Sequence, residues 1–170
     1  MNCKAIFLEM VNSYNKIFGS GITGIAITIL IWIICIKIST FFSIPEMGIS
    51  PLFRKILIIL FSIDSSILIV WSLMVLPIGD RGNKFISNGP YQYVRHPFYA
   101  AFIWSGTGII SMIYKSWLLL IFIIPIHIFW VWHIQKEEKL LLNQFGYEYE
   151  QYMMKTPQFF PRYISSKEVE

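Results

Sequence analysis

Apolar residues run through this chain in four long blocks separated by short polar or proline-bearing stretches. The first block extends from about Ile22 to Phe42 and closes before Pro45. The second runs from about Ile56 to Leu76 and closes at Pro77 and Gly79, because proline biases the residue before it away from helix. The third covers about Pro97 to Tyr114 and the fourth about Trp117 to Ile134. As helices rising about 1.5 Å per residue, blocks of this length cross a hydrocarbon core of about 30 Å. The pattern predicts an all-α integral membrane protein with about four transmembrane helices. Lys115-Ser116 leaves so little chain between the third and fourth spans that they form an antiparallel hairpin, with residues 97 and 135 at one membrane face. Beyond the fourth span, Leu140, Leu141, Phe145, Tyr149 and Tyr152 recur near helical spacing opposite Asn143, Glu148 and Glu150. That periodicity predicts one C-terminal amphipathic helix from Lys139 to Tyr152 lying against the cytoplasmic ends of the spans. The stretch 156–162, bounded by Pro157 and Pro161, is expected to be extended, and residues 1–20 to be an uncleaved amphipathic lead-in.

Composition agrees with the pattern. Of the 170 residues 55% are hydrophobic and only 14% charged, and mean hydropathy is +0.57, whereas soluble domains carry about a quarter charged residues. One membrane domain is expected, with no separate soluble catalytic unit. The net charge of +4 is spread along the chain, which fits membrane topology and anionic headgroups; no nucleic-acid motif is present. Lys and Arg at 4, 16, 81, 84, 95, 136, 139, 155, 162 and 167 fall on one face of a four-span arrangement, against 37, 54, 55 and 115 elsewhere. The positive-inside rule therefore places the termini and the 80–96 loop in the cytoplasm, with Arg54-Lys55 discordant. Cys3 and Cys35 have no partner at metal-ligand spacing, and neither a disulfide framework nor a metal site is expected.

Several polar groups interrupt the apolar background. Gly19-Ser20-Gly21-Ile22-Thr23-Gly24 matches a dinucleotide-binding G-x-G-x-x-G literally, but it opens a membrane span and not a βαβ unit, so a flexible hinge or close helix packing is the better reading. Arg95-His96-Pro97 is more specific. Pro97 suits the first turn of a helix, which sets Arg95 and His96 beside free N–H groups where an anion is favoured. Ser105-Gly106-Thr107-Gly108 gives the third span a stretch that a neighbouring helix or a cofactor can approach closely. Glu137 and Glu138 follow the fourth span. Adjacent carboxylates on a helix diverge by about 100°, so at most one points squarely between the third and fourth spans. Asp64, in the middle of the second span, is either a pocket wall or helix glue hydrogen-bonded by its neighbouring serines. His127, two residues after Pro125, is expected to be a structural histidine bonded to a carbonyl that the proline frees.

The order Gly89-Pro90-Tyr91-Gln92-Tyr93-Val94-Arg95-His96-Pro97-Phe98-Tyr99, apolar hairpin, Glu137-Glu138, and Phe145-Gly146 leading to Tyr149 and Tyr152 resembles the isoprenylcysteine carboxyl methyltransferase and phospholipid N-methyltransferase superfamily over about residues 79–163. The resemblance implies a membrane methyltransferase using S-adenosyl-L-methionine, with residues 1–78 as N-terminal membrane helices and 79–170 as the methyltransferase-like region. It implies cofactor binding by Tyr93, His96, Pro97, Tyr99, Gly106, Gly108, Glu137 and Glu138, and catalytic roles for Arg95, as the anchor of an anionic acceptor, and Glu138. The acceptor it implies is the carboxylate of a prenylated cysteine or a similar lipophilic molecule; the alternative is the amine of phosphatidylethanolamine, which would need a base such as Asp64, Glu138 or His133. His133 and Lys136 stand where the eukaryotic prenylcysteine enzymes carry an arginine and a further acid upstream of the glutamate pair. The membrane sterol reductases, which would imply NADPH, share the Arg-His-Pro-x-Tyr pattern, but Phe98 and Ala100-Ala101 depart from them. A non-enzymatic scaffold would give no reason for the polar ends at 95–97 and 137–138 to face one another.

Overall fold

The computed structural model describes residues 21–81 and 83–161. The lead-in with Cys3, the first two residues of the glycine motif, and Arg162 lie outside the described residues. All regular structure among the described residues is helical. Helix α1 spans Gly21–Phe41 and α2 Pro51–Val75. Helix α3 covers Pro97–Ile113, and α4 covers Trp117–Phe145 with single-residue breaks at Phe122 and Ile134. Helix α5 spans Tyr147–Lys155. Three of these, α1, α2 and α4, are long and apolar enough to cross a membrane, while α3 is a shorter apolar helix.

Local chemistry sets the boundaries. Helix α2 starts five residues before the expected position because Ser50 caps it, its side chain accepting from the Phe53 N–H at 3.3 Å, and Pro51 stands in the first turn. The α3–α4 connection is as tight as predicted: Lys115 takes a left-handed φ of 49°, and the Ser116 side chain accepts from the Leu119 N–H. The predicted single amphipathic helix is instead two. Gly146, at φ 57° and ψ −132°, ends the first by donating its N–H to the Leu142 carbonyl at 2.8 Å, a backbone conformation that glycine adopts without steric penalty.

The helices alternate in direction. The start of α1 meets the start of α3, where a Cβ on Gly21 would lie 2.8 Å from the Tyr99 hydroxyl. Its end meets the α3–α4 turn, with Ser39 and Ser116 hydroxyls 3.0 Å apart and the Met47 N–H donating to the Lys115 carbonyl. Gly24 lets the Trp130 ring close against α1, since a Cβ there would come within 2.5 Å of it. The packing reading of the glycine motif thus holds for the part described. The core lies between α1, α3 and α4 around Trp32, Ile103, Leu119, Ile126 and Trp130. Two buried indoles are satisfied across it: Trp130 Nε1 donates to Thr28 Oγ1 at 2.9 Å and Trp32 Nε1 to Thr107 Oγ1 at 3.2 Å. Outward faces remain apolar and exposed, as along Ile56, Ile59, Ile63, Ile67 and Val70 of α2.

Candidate active site

Helix α3 begins and the apolar part of α4 ends at the same face, and this brings Arg95-His96-Pro97 against Glu137-Glu138. The Arg95 guanidinium holds Glu138 Oε1 from two nitrogens, Nε at 2.8 Å and Nη2 at 2.7 Å. His96 Nε2 lies 3.2 Å from the same oxygen, and the Gln158 side-chain amide donates to Glu138 Oε2 at 2.9 Å. Glu138 is buried, while the Glu137 side chain retains 22% exposure. As the 100° divergence requires, only one of the pair points inward. Glu137 nevertheless joins the cluster at its edge, accepting from the Tyr99 hydroxyl at 3.2 Å and lying 3.8 Å from His96 Nδ1. The Tyr99 ring stacks on His96 with an interplanar angle of 8°.

A strap formed by residues 156–159 crosses this cluster. The N–H groups of Arg95 and His96, which the sequence offers as a free anion site, donate to the carbonyls of Pro157 at 2.8 Å and Gln158 at 3.0 Å. The correction has a physical reason: unpaired N–H groups next to apolar helix ends must be satisfied, and an extended segment with spare carbonyls does so without water. The guanidinium is taken up here too, its Nη1 donating to the Thr156 carbonyl of the strap and to the Met153 carbonyl in the last turns of α5. Arg95 is therefore engaged with Glu138 and the strap. Prolines at 157 and 161 signal the extended shape of this stretch, but nothing in its composition signals its partners. Above it, α5 is fixed by the Tyr152 hydroxyl donating to the Tyr91 carbonyl at 2.6 Å, and by Phe85 packing against Phe145, Tyr149 and Tyr152.

Other predicted residues fall into place or apart. Pro97 is fully buried at the start of α3. Tyr93 is 54% exposed and is not drawn into the cluster. Gly108 faces α2, where a Cβ would lie 2.9 Å from the Phe61 ring, and Gly106 faces Trp32, with the nearest ring atom at 3.5 Å; both admit neighbouring helices. Asp64 is bonded by Ser105 of α3 and not by the serines next to it, so it ties α2 to α3. His133 Nε2 lies 2.9 Å from Thr23 Oγ1. His127 departs from expectation: its Nδ1 is buried without a hydrogen-bond partner. A proline at 125 frees the carbonyl of residue 121, nearly two turns from His127 and out of its reach.

The polar helix end beyond the apolar part of α4 has strong electrostatics. Burial alone raises the Glu138 pKa, but the hydrogen bond and charge of His96, the Arg95 guanidinium and the Gln158 amide outweigh it and hold the carboxyl at about 2. Burial pushes Tyr149 and Tyr152 well up, with Glu138 adding to the rise and the Arg95 guanidinium opposing it, so both stay protonated. The site thus combines a fixed carboxylate, a second carboxylate at its edge and an aromatic wall. Among the described residues no group of three or more His, Cys, Asp or Glu is placed to hold a metal ion.

Residues 66–143, just under half of the chain, match the isoprenylcysteine carboxyl methyltransferase (ICMT) family. The chain is 37% identical over 84 residues to the protein-S-isoprenylcysteine O-methyltransferase of Schizosaccharomyces pombe, covering 48% of this chain and 35% of that enzyme. It is 30% identical over 84 residues to the nickel-cobalt-cadmium resistance protein NccN of Alcaligenes xylosoxydans xylosoxydans, covering 49% and 39%. To the cobalt-zinc-cadmium resistance protein CzcN of Cupriavidus metallidurans it is 27% identical over 84 residues, covering 49% and 38%. The chain spans little more than a third of the length of these relatives. The similarity to the isoprenylcysteine carboxyl methyltransferase family is carried by this region. All the site residues expected from the resemblance, from Tyr93 to Glu138, fall inside it.

Proposed function

We propose that the chain is a membrane-embedded methyltransferase that uses S-adenosyl-L-methionine to methylate the carboxylate of a prenylated cysteine or a similar lipophilic acceptor. One observation carries the reading: the buried Arg95–Glu138–His96 cluster, edged by Glu137 and Tyr99, at the junction of α3 and α4 inside the matched region. In this reading α3 is a fourth span alongside α1, α2 and α4, residues 79–170 form the methyltransferase-like unit after the N-terminal helices of 1–78, and the cluster faces the cytoplasm.

The donor set suits the cofactor. Glu137, the more exposed carboxylate, accepts the ammonium of its amino-acid end, while His96 and Tyr99 supply a stacked aromatic wall over Pro97. Gly106 and Gly108 are taken up by Trp32 and Phe61 and Tyr93 stands outside the cluster, so the cofactor reading rests on Glu137, His96, Tyr99 and Pro97. When bound, the group supplies an electrophilic methyl on a sulfonium. Because that positive charge is lost as the methyl leaves, carboxylates set tightly against the sulfonium would favour the ground state over the transition state. Glu138, neutralised by Arg95 and hydrogen-bonded to His96, instead holds the walls in place, so the chain contributes positioning and desolvation. A carboxylate acceptor is already ionised at neutral pH and needs no base. Arg95 keeps Glu138 and the strap in position, and in the acceptor-bound state it is the cation nearest an anionic acceptor.

Calorimetric titration of the detergent-purified full chain with S-adenosylmethionine and with NADPH tests the donor. Methyl transfer to a farnesylated cysteine analogue tests the acceptor. Binding of NADPH alone would overturn the reading, and donor binding without transfer to the analogue would overturn its acceptor.

A further inference from the structure

A short helical turn, Ile78–Asp80, leads the chain away from the end of α2, and Arg81 follows it. The turn is braced. The Arg81 N–H donates to the Ile78 carbonyl at 3.3 Å, and Asp80, the acid beside Arg81 in the chain, is taken by Lys84 at 2.8 Å. The Arg81 guanidinium carbon lies over the Phe98 ring, 5.1 Å from its centroid, in the first turn of α3. Arg81 is half-buried there, whereas Lys136, Lys139 and Lys155 at the same end of the bundle are exposed. Among the described residues the ion pairs engage Lys84, Arg95, His96 and Lys115, and Arg81 enters none of them. A guanidinium laid on an aromatic ring keeps its in-plane N–H donors for another partner.

Arg95 is in the opposite condition. Its Nε and Nη2 are spent on Glu138 and its Nη1 on two main-chain carbonyls, so it has no parallel pair of donors left for a second carboxylate. Arg81 and Glu137 act on one ring from opposite signs: burial pushes the Tyr91 phenol up, the Arg81 guanidinium opposes that rise and Glu137 adds to it. On the α3 side, Phe98 beneath Arg81 is followed directly by Tyr99. Their ring centroids are 6.0 Å apart, and the Tyr99 hydroxyl donates to Glu137 at 3.2 Å. A cation and a carboxylate held around the same tyrosines complement a zwitterion. The amino-acid end of S-adenosylmethionine is one, with an ammonium and a carboxylate on a single carbon. Were Glu137 to take that ammonium with no cation beside it, the neighbouring carboxylate would meet a like charge at short range.

We infer that Arg81 is a cofactor-binding residue: its guanidinium, seated on Phe98, holds the carboxylate of S-adenosylmethionine while Glu137 holds the ammonium on the same carbon. The inference rests on the methyltransferase reading and adds a residue that neither the Arg-His-Pro motif nor the glutamate pair contains. Methyl transfer leaves that carboxylate unchanged, so Arg81 grips donor and demethylated product alike. It supplies uniform binding and selects for an intact amino-acid end, without favouring the transition state.

Equilibrium binding to the detergent-purified full chain tests this without turnover, using S-adenosylmethionine, S-adenosylhomocysteine and decarboxylated S-adenosylmethionine, which keeps the sulfonium and the ammonium but lacks the carboxylate. Wild type is expected to bind the two carboxylate-bearing ligands more tightly than the third. Arg81→Gln is expected to weaken both of them about tenfold and to leave the decarboxylated ligand unchanged, which abolishes the preference. Arg81→Met keeps the apolar stem on Phe98 and gives the same comparison should Arg81→Gln fail to fold. Equal weakening of all three ligands would make Arg81 a support of the loop and overturn the inference, as would unchanged S-adenosylmethionine affinity in a folded variant or a wild type that does not discriminate among the three. Those results would leave the methyltransferase reading standing, whereas a wild type that binds none of the three would sink that reading and the inference with it.

Discussion

At the scale of single residues, Glu138 is the group on which most others depend. It neutralises Arg95, accepts from His96 and Gln158, and is buried with them. Glu138→Gln leaves the buried Arg95 guanidinium facing a neutral amide, and breaking a buried pair this way costs about 3 kcal/mol or more; thermal unfolding in detergent is expected to shift down and S-adenosylmethionine binding to be lost. The pH dependence has a definite sign. A carboxyl held at about 2 against an ordinary 4.5 contributes stability that is present above the unfolded value and is lost as pH falls from about 4.5 through 2. Stability should thus fall across that acid window in wild type, and much less in Glu138→Gln; equal slopes would detach Glu138 from the effect. Glycines give a second, purely steric prediction. Ala at Gly24 forces a methyl into the Trp130 ring, which is fully buried and tethered through Thr28, and overpacking of this kind costs about 1–3 kcal/mol. Gly79→Ala, with nothing within 4 Å of the added carbon, should leave the melting temperature unchanged.

At the scale of elements, the apolar blocks were readable because membrane helices announce themselves by length and composition. Their ends were not equally readable. Ser50-Pro51 moves the start of α2 outward because capping and first-turn proline act before the apolar run begins, and Gly146 splits the predicted amphipathic helix because one positive φ redirects the chain whatever the periodicity on either side. A Cβ on Gly146 would meet nothing within 4 Å, so Gly146→Ala isolates the conformational cost, about 1–3 kcal/mol for a side chain held in such a region. Proteolysis near residue 146 should accelerate in that variant while α1 to α3 keep their thermal transition; an unchanged digestion rate would mean α5 docks independently of the turn. The site shows the same division. Arg95, His96 and Glu138 were legible as a meeting point because polar and charged residues at the ends of neighbouring spans have few places to go, whereas Tyr99 came only with the family resemblance. The strap was not, because it acts mainly through main-chain carbonyls, which every residue has and no sequence pattern marks. The Asp64–Ser105 bond and the unpaired His127 were hidden for a related reason: both depend on which faces of α2, α3 and α4 meet, a matter of packing across helices and not of spacing within one.

At the scale of the whole molecule, the alternating helices bring segments distant in sequence to one end of the bundle, and the strap closes that end. Its carbonyls occupy the Arg95 and His96 N–H groups and the Arg95 guanidinium, its Gln158 amide holds Glu138, and Phe159 fills the space between His96 and His127. Ending the chain after Lys155 removes all of these at once except the Met153 carbonyl. It leaves buried donors unpaired and opens a cavity of phenylalanine size, a change of about 3–5 kcal/mol at the core level for Phe159 alone. Ending it after Pro161 removes none of them. If the cluster depends on the strap for its geometry, the chain ending at 161 should bind S-adenosylmethionine as the full chain does, whereas the chain ending at 155 should bind at least tenfold more weakly and melt earlier. A single substitution, Phe159→Leu, separates the contributions, because it thins the aromatic fill while keeping every main-chain bond: it should lower the melting temperature with little change in donor affinity. Full donor affinity in the chain ending at 155 would show that Arg95, His96 and Glu138 hold their arrangement on the helices alone, and the strap would then be a stabilising cover and not part of the site.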